Sequence, residues 1–114
     1  MRPESRKLLQ DGLDACDAVL RFVRGLTLDD YLGNELVRSA VERQFEIIGE
    51  AMGRLRQADG AVAQRIPDLA RVVDFRSVLI HKYAGVDDRI VWGIVEGKLP
   101  ALRAAIEALL PGRR

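Results

Sequence analysis

Between Glu35 and Ala58 the apolar residues follow one helical stripe, and no other feature limits the fold as strongly. Leu36, Val37, Ala40, Val41, Phe45, Ile47, Ile48, Ala51, Met52 and Leu55 recur at three- and four-residue intervals, the spacing of one helix face. Gly33 breaks the chain just before this run, and Asn34 is placed to cap it. Gly49 and Gly53 lie inside it, each at a cost of about 1 kcal/mol relative to Ala. Two glycines four apart leave a flat strip on which another helix can approach closely. A helix this long with one apolar face must bury that face against other helices.

The remaining segments also read as helices. Pro3 or Ser5 opens a first helix carrying Leu8, Leu9, Leu13, Cys16, Val19, Leu20 and Val23, with Gly25 as its end signal. Thr27 and Asp30 have the spacing of a capping box for a short turn through Leu32. After a turn at residues 57–60, residues 61–66 form a short piece, and Pro67-Asp68 begins a helix ending at Gly85. Asp87 or Asp88 caps a helix through Val95; Gly97 and Pro100 interrupt, and Leu102 to Leu110 close the fold. Residues 110–114 form a frayed basic tail.

Aromatic residues make up only 5% of the 114 residues, which disfavours a sheet. At 48% hydrophobic and 31% charged, the chain has the composition of a folded protein. The expectation is an all-α fold: one domain over 1–114, an antiparallel bundle of four main helices with one or two short ones.

A net charge of +1 argues against indiscriminate nucleic-acid binding without excluding a local basic site. A single cysteine, Cys16, on an apolar face, excludes an internal disulfide and a cysteine metal cluster, and suits a reducing cytoplasm. One His and one Cys far apart make no transition-metal set, and no glycine-rich phosphate loop follows a strand. No apolar run reaches membrane length. The expectation is a cytoplasmic protein without membrane or cofactor.

What remains for chemistry is the stretch from Asp74 to Gly85, which holds the only histidine. At ~100° per residue with Arg76 at zero, Leu69, Val72, Val73, Leu79 and Ile80 fall within about 60° of it. Arg76 thus occupies the middle of an apolar arc, with Tyr83 about 20° away and Ser77 and His81 at roughly 100° and 140°. A guanidinium cannot be deprotonated and is costly to bury unpaired, so this face meets a partner surface or an anion. Arginine suits a phosphate and histidine transfers protons near neutral pH, a pair sufficient for RNA cleavage by 2′-OH attack. The wide angle between Arg76 and His81 fits a composite site across a two-fold dimer. The alternative is an ion pair of Arg76 with Glu46 or Glu50 and a bystander histidine.

Arg76-x4-His81-x-Tyr83, preceded by Asp74-Phe75 and followed by Gly85-Val86-Asp87, resembles the Arg-x4-His-x-Tyr signature of HepT-like proteins in the HEPN superfamily. Residues 41–51, ending in Gly49-Glu50-Ala51, resemble that family's long helix, and residues 90–95 and 99–102 its closing helices. The resemblance implies an all-helical homodimer with its active site between protomers. It implies a metal-independent endoribonuclease acting as the toxin of a type II-like toxin–antitoxin pair. The antitoxin would be a minimal nucleotidyltransferase, bound in a hetero-oligomer, that silences the toxin by adding AMP to the motif tyrosine. Carried over, Arg76 and His81 are catalytic and Tyr83 is the modified residue. Ser77, which stands where the family often has Asn, is a supporting or RNA-contacting position, as are Arg43 and Glu50. Two other classes stay open on the residues alone: a non-catalytic partner subunit of a nucleotidyltransferase, and a plain dimerisation bundle.

Overall fold

The computed structural model describes residues 1–80 and 85–112. Among them are seven helices and no strand: α1 Pro3–Phe22, α2 Leu28–Leu32, α3 Glu35–Ala58, α4 Gly60–Ala63, α5 Leu69–Ile80, α6 Asp88–Gly97 and α7 Leu99–Leu109. The boundaries follow local chemistry. Pro3 lies in the first turn of α1, where its missing N–H is no loss, and Gly25 takes the left-handed backbone (φ 77°) beyond its end. The Thr27 hydroxyl accepts from the Asp30 amide at 3.2 Å while the Asp30 carboxylate accepts from the Thr27 amide at 2.9 Å, the expected capping box. The Asn34 side chain caps α3 by accepting from Val37 N–H at 3.0 Å. Asp87 caps α6 by accepting from Arg89 N–H at 3.0 Å.

The long helices pack antiparallel. Ser5 at the start of α1 donates to Asp59 beyond the end of α3 at 2.7 Å, Arg2 reaches the Ala58 carbonyl, and Gly12 faces Met52. Gly12 also faces Ile106, and Arg103 donates to Asp17, which sets α7 antiparallel to α1. Arg76 of α5 rests on Gly49 of α3 and Val73 on Gly53, so α5 runs antiparallel to α3 along the glycine strip. The Tyr31 and Trp92 rings, 5.2 Å apart, and an Arg38–Asp88 ion pair at 3.4 Å tie α2 and the start of α3 to α6. One core cluster draws residues from all seven helices. Leu9, Leu13, Ile48, Met52 and Leu55 are wholly buried, each contributing about 2 kcal/mol. The result is the expected all-α antiparallel bundle.

Three details differ from the sequence expectation. Asp68 has φ 57°, so α5 begins at Leu69 rather than at Pro67. α7 begins at Leu99, three residues early, because Pro100 is accommodated within its first turn instead of separating two helices. Leu110 is packed into the core, which leaves it out of any frayed tail. Among the described residues, no helix is long and apolar enough to cross a membrane.

Candidate active site

Arg76 is the candidate site residue whose packing is most closely defined. The glycine strip of α3 brings α5 so close that a Cβ added to Gly49 would overlap Arg76 Cβ and lie 3.1 Å from its Cγ and Cδ. The stem of Arg76 therefore lies against bare backbone, and the side chain is half-buried. Its Nε is fully buried without a hydrogen-bond partner. A desolvated guanidinium N–H of this kind costs on the order of 1–3 kcal/mol or more while unmade.

The two acids expected as its counter-ions, Glu46 and Glu50, are engaged along α3 itself. Glu46 pairs with Arg43 at 3.4 Å and Glu50 with Arg54 at 3.3 Å, both at helical spacing. Arg76 has no ion-pair partner among the described residues. The alternative ion pairs to Glu46 or Glu50 are thus not made. What the packing leaves is a half-buried guanidinium with a buried, unmatched Nε and no ion-pair partner among the described residues; the donor fork of such a group suits an oxyanion.

The other candidate residues divide by position. Ser77, next to Arg76, is exposed. Arg43 is exposed on α3 and held by Glu46. Glu50 lines a separate cleft of about 310 Å³ between α1 and α3, together with Asp11, Asp14 and Arg54, and Arg76 is not part of that lining. His81 and Tyr83 lie outside the described residues.

One residue escaped the sequence reasoning. Glu42 is a charged residue buried to 8% exposure, seven residues before Gly49 and hence on the same face of α3. It is engaged rather than free.

Cys16 takes no part in this chemistry. Burial, reinforced by Asp17, pushes its thiol up to about 12, which keeps it protonated and unreactive. Among the described residues, no group of three or more His, Cys, Asp or Glu side chains is placed to hold a metal ion.

A family model described as "Ribonuclease HepT-like" matches residues 13–109. The chain is 32% identical over 111 residues to "Probable ribonuclease HepT" of Thermococcus cleftensis, covering 96% of this chain and 98% of that protein. It is 31% identical over 104 residues to "Putative RNase MJ1380" of Methanocaldococcus jannaschii, covering 90% and 93%. No solved structure matches. With a match across most of its length and relatives that share its extent, the chain belongs to the ribonuclease HepT-like family.

Proposed function

We propose that this protein is a metal-independent endoribonuclease in which Arg76 binds the scissile phosphate and His81 transfers the proton. The observation that carries the proposal is the half-buried Arg76, its stem packed on Gly49 and its Nε unpartnered, while Glu46 and Glu50 of α3 are paired with Arg43 and Arg54. Membership of a family described by ribonuclease activity supports the choice of RNA as substrate. In the reaction, a base removes the proton of a ribose 2′-OH, and O2′ attacks the adjacent phosphorus. The bond from phosphorus to the 5′ oxygen breaks, and that oxygen takes up a proton. The products are a 2′,3′-cyclic phosphate and a free 5′-OH. Arg76 stabilises the charge on the phosphoryl oxygens as it builds, and a histidine near neutral pH serves either proton step.

The wider setting belongs to the same proposal. The protein acts as a homodimer in which two protomers complete one cleft, so that His81 of one can complement Arg76 of the other. It is the toxin of a pair whose antitoxin, a minimal nucleotidyltransferase, places AMP on Tyr83. An AMP group there sets a bulky anion two residues from His81 and competes for the phosphate site.

Wild-type protein and His81→Ala, each freed of partner and shown by intact mass to carry no AMP, are incubated with labelled RNA in excess chelator. Cleavage by the wild type and its loss in the variant support the assignment. Equal cleavage by both, or by neither, overturns it. Co-expression with the neighbouring nucleotidyltransferase, if one is encoded, adds AMP-sized mass increments that Tyr83→Phe abolishes.

A further inference from the structure

A cavity of about 330 Å³ opens beside the candidate site, between the first turns of α5, the junction of α6 and α7, and Phe45 of α3. Its volume is that of a small-ligand pocket. Val72, Phe75 and Leu102 make its apolar wall. Val72 lies four residues before Arg76, and Phe75 lies one residue before it. On α5 they lie roughly 40° and 100° round from Arg76, so the pocket borders the same helix face. Phe45 meets Phe75 edge-on, with ring centroids 5.5 Å apart and planes at 79°, which fixes the half-buried Phe75 ring.

The rim is charged. Arg71 and Lys98 border the cavity, both exposed and neither with an ion-pair partner among the described residues. The first turn of α7 begins at the same edge and carries no side-chain cap, so its amides add positive potential. Asp68 is the one acidic group at the rim.

We infer that this pocket receives an unstacked base of single-stranded RNA next to the cleavage point, with Arg71 and Lys98 on the flanking phosphates. The assignment rests on the ribonuclease reading above and adds a substrate subsite to it. An apolar, aromatic-walled hollow between two unpaired cations matches a flat base held between two anions. A peptide of acidic character would match the cations but gain little from a fixed ring. Asp68 supplies a hydrogen-bond acceptor at the rim, which can take a bond from an exocyclic amino group or from the ring N–H of uracil or guanine.

The test uses the full-length protein, with two probes of one sequence: a short single-stranded RNA for cleavage and its fully 2′-O-methylated copy for binding. Phe75→Leu keeps apolar volume and removes the ring. Arg71→Ala/Lys98→Ala changes exposed residues only and covers the case in which Phe75→Leu fails to fold. The expected result is an about tenfold rise in Kd and KM for Phe75→Leu, with kcat within about twofold of wild type. An abasic nucleotide at the flanking position removes that difference. For the double variant, the slope of log affinity against log salt drops by about 0.7 for each cation lost. Unchanged Kd, KM and salt slope in both variants overturn the subsite. So does a change confined to oligomeric state, which would make the hollow a contact between copies of the chain. Variant-sensitive binding by a wild type that never cleaves keeps the subsite and overturns the nuclease assignment instead.

Discussion

Gly49 of α3 lies directly beneath Arg76 of α5, with no room between them for a methyl group. One turn on, Gly53 faces Val73 with ordinary space: a Cβ there would lie 3.7 and 3.9 Å from the two Val73 methyls. The two glycines of the strip therefore have different roles. Gly53 eases helix packing, whereas Gly49 sets where the Arg76 guanidinium can be.

Alanine substitution separates them. Gly53→Ala gains helix propensity without a clash and is expected to raise stability by up to about 1 kcal/mol, with cleavage unchanged. Gly49→Ala gains the same propensity but overpacks, for a net loss of about 1 kcal/mol. Cleavage is expected to fall at least about tenfold because Arg76 is displaced. Urea titration and single-turnover cleavage of both variants check the contrast.

Arg76→Met keeps the shape of the side chain and removes a buried N–H that has no partner. Stability is expected to hold or rise by about 1 kcal/mol. RNA cleavage is expected to drop by a factor of about 100 or more, the usual effect of losing a donor to a developing oxyanion. A residue kept for folding would behave in the opposite way in the same two assays.

Burial raises the Cys16 thiol from 9.0 to about 12 and, with help from Asp88, the Tyr31 phenol from 10.0 to about 12. The unfolded chain gives up these protons at lower pH than the folded one. Between pH 9 and 12 the unfolded state binds fewer protons, so stability is full below pH 9 and falls as pH rises toward 12. Denaturation midpoints measured from pH 8 to 11 should decline, and Cys16→Ala should flatten the decline. In the native protein at pH 8, a thiol reagent should find Cys16 unreactive until denaturant is added.

The Tyr31 hydroxyl is buried without a hydrogen-bond partner while its ring packs on Trp92. Tyr31→Phe keeps the ring and removes the unmet polar group, so stability should rise by about 1 kcal/mol. A lower melting temperature in this variant would mean that the hydroxyl is satisfied in solution.

What could be read from the sequence was local. The Thr27–Asp30 box, the Asn34 cap and the extent of α3 are decided within one turn of chain, and each is found where the residue types place it. The glycine strip was also legible as a surface for close approach. Its register was not: that Gly49 rather than Gly53 lies under Arg76 depends on how α5 slides along α3, which tertiary packing decides. Pro100 was ambiguous for a related reason, since proline both ends helices and opens them, and only burial of Leu99 selects the second outcome here. The fate of Glu46 and Glu50 was visible in retrospect. Each has an arginine at helical spacing on its own helix, Arg43 and Arg54, and a local pair forms without the ordering that a pair to α5 requires. The pocket between Phe75 and Lys98 joins residues far apart in sequence and left no pattern to find.

In the proposed reaction RNA is cut by its own 2′-OH, with Arg76 on the phosphate and no metal required. The most direct measurement compares an RNA oligonucleotide with the same strand carrying one 2′-deoxy nucleotide at the mapped cleavage position, both incubated with the protein in excess chelator and analysed by mass. The prediction is a product ending in a 2′,3′-cyclic phosphate from the RNA and an uncut bond at the deoxy position. Cleavage of the deoxy-substituted bond, or cleavage that appears only when a divalent metal is restored, would contradict it.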